Sequence, residues 1–153
     1  MVYGFISRQD NELTELKFRG KRISQENVVA NYEFGRFMKC LQRGDVVYVM
    51  SVNRFSSVRQ LLVFGRFCKA NGVTLHVIEQ PYLDLTDGKH WKDSTVWQME
   101  RMIAIEEYAK GYLQKNFRMS NELWDRLYQT LEIMNLEILA HTYSPDGILK
   151  RSK

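Results

Sequence analysis

Cysteine is scarce in this chain: Cys40 and Cys68 are the only two in 153 residues. Both fall on the apolar faces of predicted helices, which reads as a pair of buried, reduced core thiols and hence as a cytoplasmic protein. Long hydrophobic runs are missing too. None approaches the roughly 20 residues that a membrane-spanning helix needs, so no membrane association is expected. The opening has no charged-then-apolar leader, because Met1-Val2 leads directly into a strand pattern. The three histidines, His76, His90 and His141, lack metal-ligand spacing, and neither cysteine completes a set. There is no glycine-rich phosphate loop and no dinucleotide fingerprint. The expectation is a protein without metal or cofactor.

What is present is an ordinary globular composition, 44% hydrophobic and 26% charged, with room for one domain and a small appendage. The net charge of +4 is unevenly placed. Through residue 60 there are 10 Lys and Arg against 6 Asp and Glu, and beyond it 12 against 12. A basic first half suits a phosphate-backbone partner. For the run Lys17-Phe18-Arg19-Gly20-Lys21-Arg22 alone, a merely solvated basic loop is the better reading.

The chain is organised around residues 41–87. Gly44-Asp45 closes a helix, and residues 46–52 form a short apolar run rich in β-branched residues. Such a run predicts a strand buried on both faces, the pattern of a parallel sheet. After the polar turn Asn53-Arg54-Phe55-Ser56-Ser57, in which Ser56 or Ser57 can cap a helix, Val58, Leu61, Leu62, Phe64, Phe67 and Cys68 recur at helical spacing. Asn71-Gly72 stops that helix, and residues 73–79 read as the return strand of a β-α-β unit. In open α/β sheets the working residues lie beyond the carboxyl ends of the strands. Those ends carry Asn53-Arg54 and Glu79, and a further strand over residues 2–6 ends on Ser7-Arg8-Gln9. A hydroxyl, two guanidinium groups and a carboxylate make a plausible phosphate site.

Elsewhere, residues 31–42 predict a helix with Tyr32, Phe37, Met38 and Leu41 inward. Pro81 and residues 84–93 predict an irregular acidic loop. Residues 95–116 predict a long helix with too many apolar residues for one face. Val96, Met99, Ile103 and Leu113 suit the sheet, which leaves Trp97, Met102, Ile105, Tyr108 and Tyr112 for a second partner. That partner is either another subunit or the C-terminal segment. The segment itself starts at Met119-Ser120-Asn121, places Leu123, Trp124, Leu127, Leu131, Met134 and Ile138 at helical spacing, and ends near a turn cluster at residues 141–147.

In order and spacing these features resemble the catalytic domain of the serine recombinases, the resolvase and DNA-invertase family. The family's opening Tyr-x-Arg-Val-Ser is similar to Tyr3-Gly4-Phe5-Ile6-Ser7. Its Gly-Asp, strand, Asp-Arg-Leu-x-Arg, helix, Gly-Val and strand block resembles residues 44–79. Its Thr-Asp-Gly turn matches Thr86-Asp87-Gly88, and its Ala-x-x-Glu-Arg aligns with Ala104-Ile105-Glu106-Glu107-Tyr108 after a two-residue insertion. The resemblance covers residues 1–116 and implies a resolvase-like α/β fold with a mostly parallel sheet and a long helix after it. Residues 117–153 then form a helical extension and a basic tail, too short for a complete helix-turn-helix. Only about 35 residues separate Ser7 from Gly44, so the family's first helix or second strand must be shortened or missing.

By resemblance, Ser7 matches the nucleophile and Arg54 a catalytic arginine, with Arg8, Asn53 and Arg59 placed to meet DNA phosphates. The long helix implies oligomerisation through Trp97, Ile105, Tyr108 and Tyr112, in a homo-oligomer or with another recombinase. Several family charges are replaced: the expected arginines stand as Phe5, Ser57 and Tyr108, and an aspartate as Asn53. Each oriented charge lost from a transition state costs about 3–4 kcal/mol. The implied function is therefore site-specific DNA recombination or inversion with weak or absent cleavage. The alternative is a non-catalytic module that pairs with an active recombinase, and a serine placed like Ser7, considered alone, is more commonly a strand-end hydroxyl bonding the next turn.

Overall fold

A computed structural model describes residues 1–144. The Pro145-Asp146-Gly147 part of the turn cluster and the basic tail of Lys150, Arg151 and Lys153 lie outside the described residues. Four strands, β1 (Val2–Ile6), β2 (Val28–Ala30), β3 (Val46–Val49) and β4 (Thr74–Val77), form one sheet in the order β2-β1-β3-β4. Every pairing is parallel. The flanking helices are α1 (Glu12–Gly20), α2 (Phe34–Cys40), α3 (Val58–Asn71), α4 (Asp93–Phe117) and α5 (Asn121–Thr142). The class is α/β, with a parallel sheet flanked by helices and long helices closing the described chain. None of the described helices is long and apolar enough to cross a membrane.

Local chemistry explains the central unit. The Ser57 hydroxyl accepts from the Gln60 amide at 3.0 Å and so starts α3. Gly72 ends it in the left-handed region at φ 67°, where glycine carries no Cβ penalty. Between them Val58, Leu61, Leu62, Phe64 and Cys68 are buried, and burial pushes the Cys68 thiol up to about 12. The short stretch after Ser7 keeps both of its elements by making each small: α1 has 9 residues and β2 has 3.

Phe5, Val47, Val49, Leu75 and Val77 point to one face of the sheet and are buried. Phe5 anchors that face, its ring 5.0 Å from Phe55 and 6.0 Å from Phe37, centroid to centroid. The opposite face departs from the expectation of strands buried on both sides. There Val46, Tyr48, Thr74 and His76 are only half-buried, and β3 and β4 alternate instead of being continuously enclosed. The helix that seats closely on this face is α1, whose Phe18 lies so near Gly4 that a Cβ there would meet the ring at 2.5 Å. The strands are also shorter than their apolar runs, because Val52 is buried in a helical turn, Val52–Arg54, and not in β3.

Two further expectations are corrected. Tyr32 is 82% exposed, because residues 31–33 form a separate tight turn that takes it out of the register of α2. Cys40, at the last position of α2, is exposed rather than buried. In α5 the seam against the body runs through Trp124, Leu136, Leu139 and Ala140, and Leu123, Leu127, Met134 and Ile138 face outward. A helix with apolar residues on several sides leaves the docking face to be chosen by its neighbours.

Candidate functional site

The turn after β1 places Ser7. Its amide donates to Asp10 Oδ2 at 2.8 Å, and its Oγ accepts from the Gln9 amide at 3.2 Å. The hydroxyl therefore does bond the next turn, while its own proton remains to be donated. Arg54 arrives from the end of the turn that follows β3. Its Nε donates to Asp10 Oδ1 at 2.8 Å and its Nη1 to Gln9 Oε1 at 3.2 Å and to Asn53 Oδ1. Thr14 Oγ1 donates to the same Asp10 oxygen at 2.7 Å. One carboxylate thus ties the backbone of Ser7, the start of α1 and the guanidinium of Arg54 into a single knot.

Asp10 was not singled out by the sequence reasoning, which passed it over inside a polar stretch. The available signal was its position three residues after Ser7, the spacing of a side chain that closes its own turn. Its role changes the electrostatics. With side chains 12% and 5% exposed, Arg54 and Asp10 form a charge-matched, largely desolvated pair, so the guanidinium is committed before any phosphate arrives.

Ser7, Arg8 and Asn53 do meet in one cleft of about 590 Å3 at the strand ends. Its far wall is α5, through Ile133, Leu136 and Glu137, and Glu137 Oε1 accepts from Asn53 Nδ2 at 2.8 Å. Arg8 is the single cation among the described residues lining the cleft, and Glu137 offsets it. Arg59 is not brought there. Exposed on α3, it pairs with Glu107 of α4. Glu79 is exposed beyond β4, while its neighbour Gln80 turns inward. Gln80 Oε1 accepts from Ser51 Oγ and the Val52 amide, both at 3.0 Å, which fixes the end of β3 against the end of β4.

The other predicted cluster is a ridge along α4. Trp97, Ile105, Tyr108 and Tyr112 are 60%, 58%, 74% and 49% exposed. Their spacing puts them on one stripe with Arg101, whose guanidinium sits 5.2 Å from the Trp97 ring centre. Behind the ridge α4 meets α5 through Glu106, which is buried and accepts from Asn135 Nδ2. Desolvation raises the Glu106 carboxyl, and burial likewise raises Glu132. Burial and the neighbouring Glu132 push Tyr128 up to about 12. No group of His, Cys, Asp and Glu arranged to hold a metal ion occurs among the described residues. No family model matches the chain, and no curated protein matches it either.

Proposed function

We propose that this chain is a divergent serine-recombinase-like protein associated with site-specific DNA recombination or inversion, DNA-binding but impaired in strand cleavage. In this reading residues 1–116 are the catalytic-type domain and residues 117–153 an extension without a complete helix-turn-helix. The observation that supports it is the shared knot at the strand ends, where Ser7 and Arg54 are held by the two oxygens of Asp10. A nucleophile and a phosphate-binding cation would need that kind of placement. The same knot argues for impairment. Arg54 is neutralised, Arg59 is paired elsewhere, and Phe5 belongs to the core instead of the cleft. With about 3–4 kcal/mol lost for each absent charge donor, little rate enhancement is left. DNA would be held weakly, through its phosphate backbone and with little sequence preference, and affinity should fall steeply with salt.

The decisive experiment is a nicking and covalent-adduct assay on supercoiled DNA, with the native chain and Ser7→Ala side by side. The expected result is no adduct from either. An adduct formed by the native chain and abolished by Ser7→Ala would establish an active enzyme.

A second reading is favoured by the α4 ridge. Four large apolar side chains in a row on one exposed helix face suit a module that oligomerises with its own kind or with an active recombinase, and regulates cleavage it does not perform.

A further inference from the structure

Helix α5 belongs to the part of the chain that the resemblance does not cover, and it returns to the Ser7 cleft. Arg118 adopts φ 44° and reverses the chain after α4. From there α5 runs antiparallel to α4. Asn135 donates to Glu106 midway along both helices, and Tyr143 Oη, at the C-cap of α5, donates to Gln98 Oε1 near the start of α4 at 2.7 Å. Leu136, Leu139 and Ala140 are buried in the core. They fix the rotation of α5 and so hold Glu137 against the turn that follows β3.

Leu136 and Glu137 wall the cleft together. Asn53, which the resemblance assigns to DNA phosphates, donates from Nδ2 to Glu137 Oε1 at 2.8 Å, and its own Oδ1 accepts from Arg54 Nη1. Arg54 in turn donates to Asp10. The result is one chain of hydrogen bonds, Asp10–Arg54–Asn53–Glu137, with a carboxylate at each end. A cleft that only had to receive a phosphate gains nothing from Glu137. Its charge repels such a ligand, and its oxygen holds the amide that the ligand would use. Nor does Glu137 serve an ion pair on its own helix, since Asn53 is its one hydrogen-bond partner among the described residues. The bond is solvent-exposed, and a single exposed bond is weak enough for another anion to displace.

We propose that α5 is an autoinhibitory arm of the Ser7 cleft, its Glu137 carboxylate standing on Asn53 in the place of a phosphate group. This rests on reading the cleft as a phosphate site.

The test is fluorescence anisotropy of the full chain with a labelled DNA duplex, for the native protein, Glu137→Ala and Asp125→Ala. Asp125 is exposed on the same helix but does not line the cleft, so its removal makes the same change in net charge elsewhere. Glu137→Ala should bind about five-fold more tightly than the native chain, the scale of one hydrogen bond. Asp125→Ala should stay within about two-fold at physiological ionic strength, where distant surface charges are screened. In an Asn53→Ala background the gain from Glu137→Ala should shrink, because the contested donor is gone. A gain no larger than that of Asp125→Ala, or one undiminished without Asn53, would overturn the proposal while leaving DNA binding in place. If no variant binds DNA, the DNA-binding reading itself fails, and thermal unfolding in inorganic phosphate against chloride at equal ionic strength decides the contact. Phosphate that stabilises Glu137→Ala and not the native chain supports the competing carboxylate. An equal effect on both, including none, overturns it as well.

Discussion

Glu106 offers a quantitative handle on how α5 is held. Its carboxyl is buried between α4 and α5 with Asn135 donating to it. Desolvation raises it above the ordinary value of 4.5, opposed by the Asn135 bond and the Arg59 charge and reinforced by Glu107. The folded state therefore binds its proton more tightly than the unfolded chain does. From about pH 4.5 upward the unfolded chain releases the proton first, so stability falls as pH rises towards the folded-state value, and above that the penalty is complete. Raised Glu132 acts in the same direction. Replacing Glu106 with Gln removes the charge while keeping the shape, so Glu106→Gln should stabilise at neutral pH and flatten the pH slope. Asn135→Ala deletes a donor to a charged acceptor and should cost about 2–3 kcal/mol at neutral pH. At this chain length that corresponds to a melting temperature lower by roughly 4–12 °C. In the Glu106→Gln background the same deletion should cost clearly less, since a neutral acceptor is less expensive to leave unpaired. Urea unfolding of the four proteins at pH 5 and pH 7.5 measures all of this. Equal costs of Asn135→Ala in both backgrounds, or a pH slope unaffected by Glu106→Gln, would refute the reasoning.

Two further outcomes are expected. Gly65→Ala would drive a methyl into the Trp91 ring, and overpacking of that kind should cost about 1–3 kcal/mol, read as a lower urea midpoint with an unchanged slope. The α4 ridge should produce a dimer or higher oligomer in sedimentation, and Tyr108→Glu with Ile105→Glu should shift it to monomer. A native chain that is monomeric at every accessible concentration would remove the ridge as an interface.

The strand–helix–strand unit was legible because its signals are local. β-branched runs, a serine cap at Ser57 and a glycine stop at Gly72 act within a few residues; the cap and the stop are found where the pattern put them, and each strand falls inside its apolar run. The outward stripe of Trp97, Ile105, Tyr108 and Tyr112 was legible for a related reason: helical spacing alone separates it from Met99 on the buried side. Tyr32 was misplaced because a tight turn of three residues breaks the helical register, and hydrophobic spacing carries no mark of that break.

The candidate site divides along the same line. That Ser7, Arg8 and Asn53 stand near strand ends follows from the order of elements, and the chain alone was enough to say so. Whether their charges are free was decided in three dimensions. Asp10 and Arg54 are 44 residues apart in sequence, and Asn53 and Glu137 are 84 apart, yet both pairs are hydrogen-bonded, the second of them across the cleft. The half-open outer face of the sheet is likewise a product of the assembled fold. Apolar residues in β3 and β4 are consistent with one covered face or two, and only the placement of the helices settles which. A side chain's partners depend on where distant elements pack, and no spacing rule within a single strand or helix contains that information.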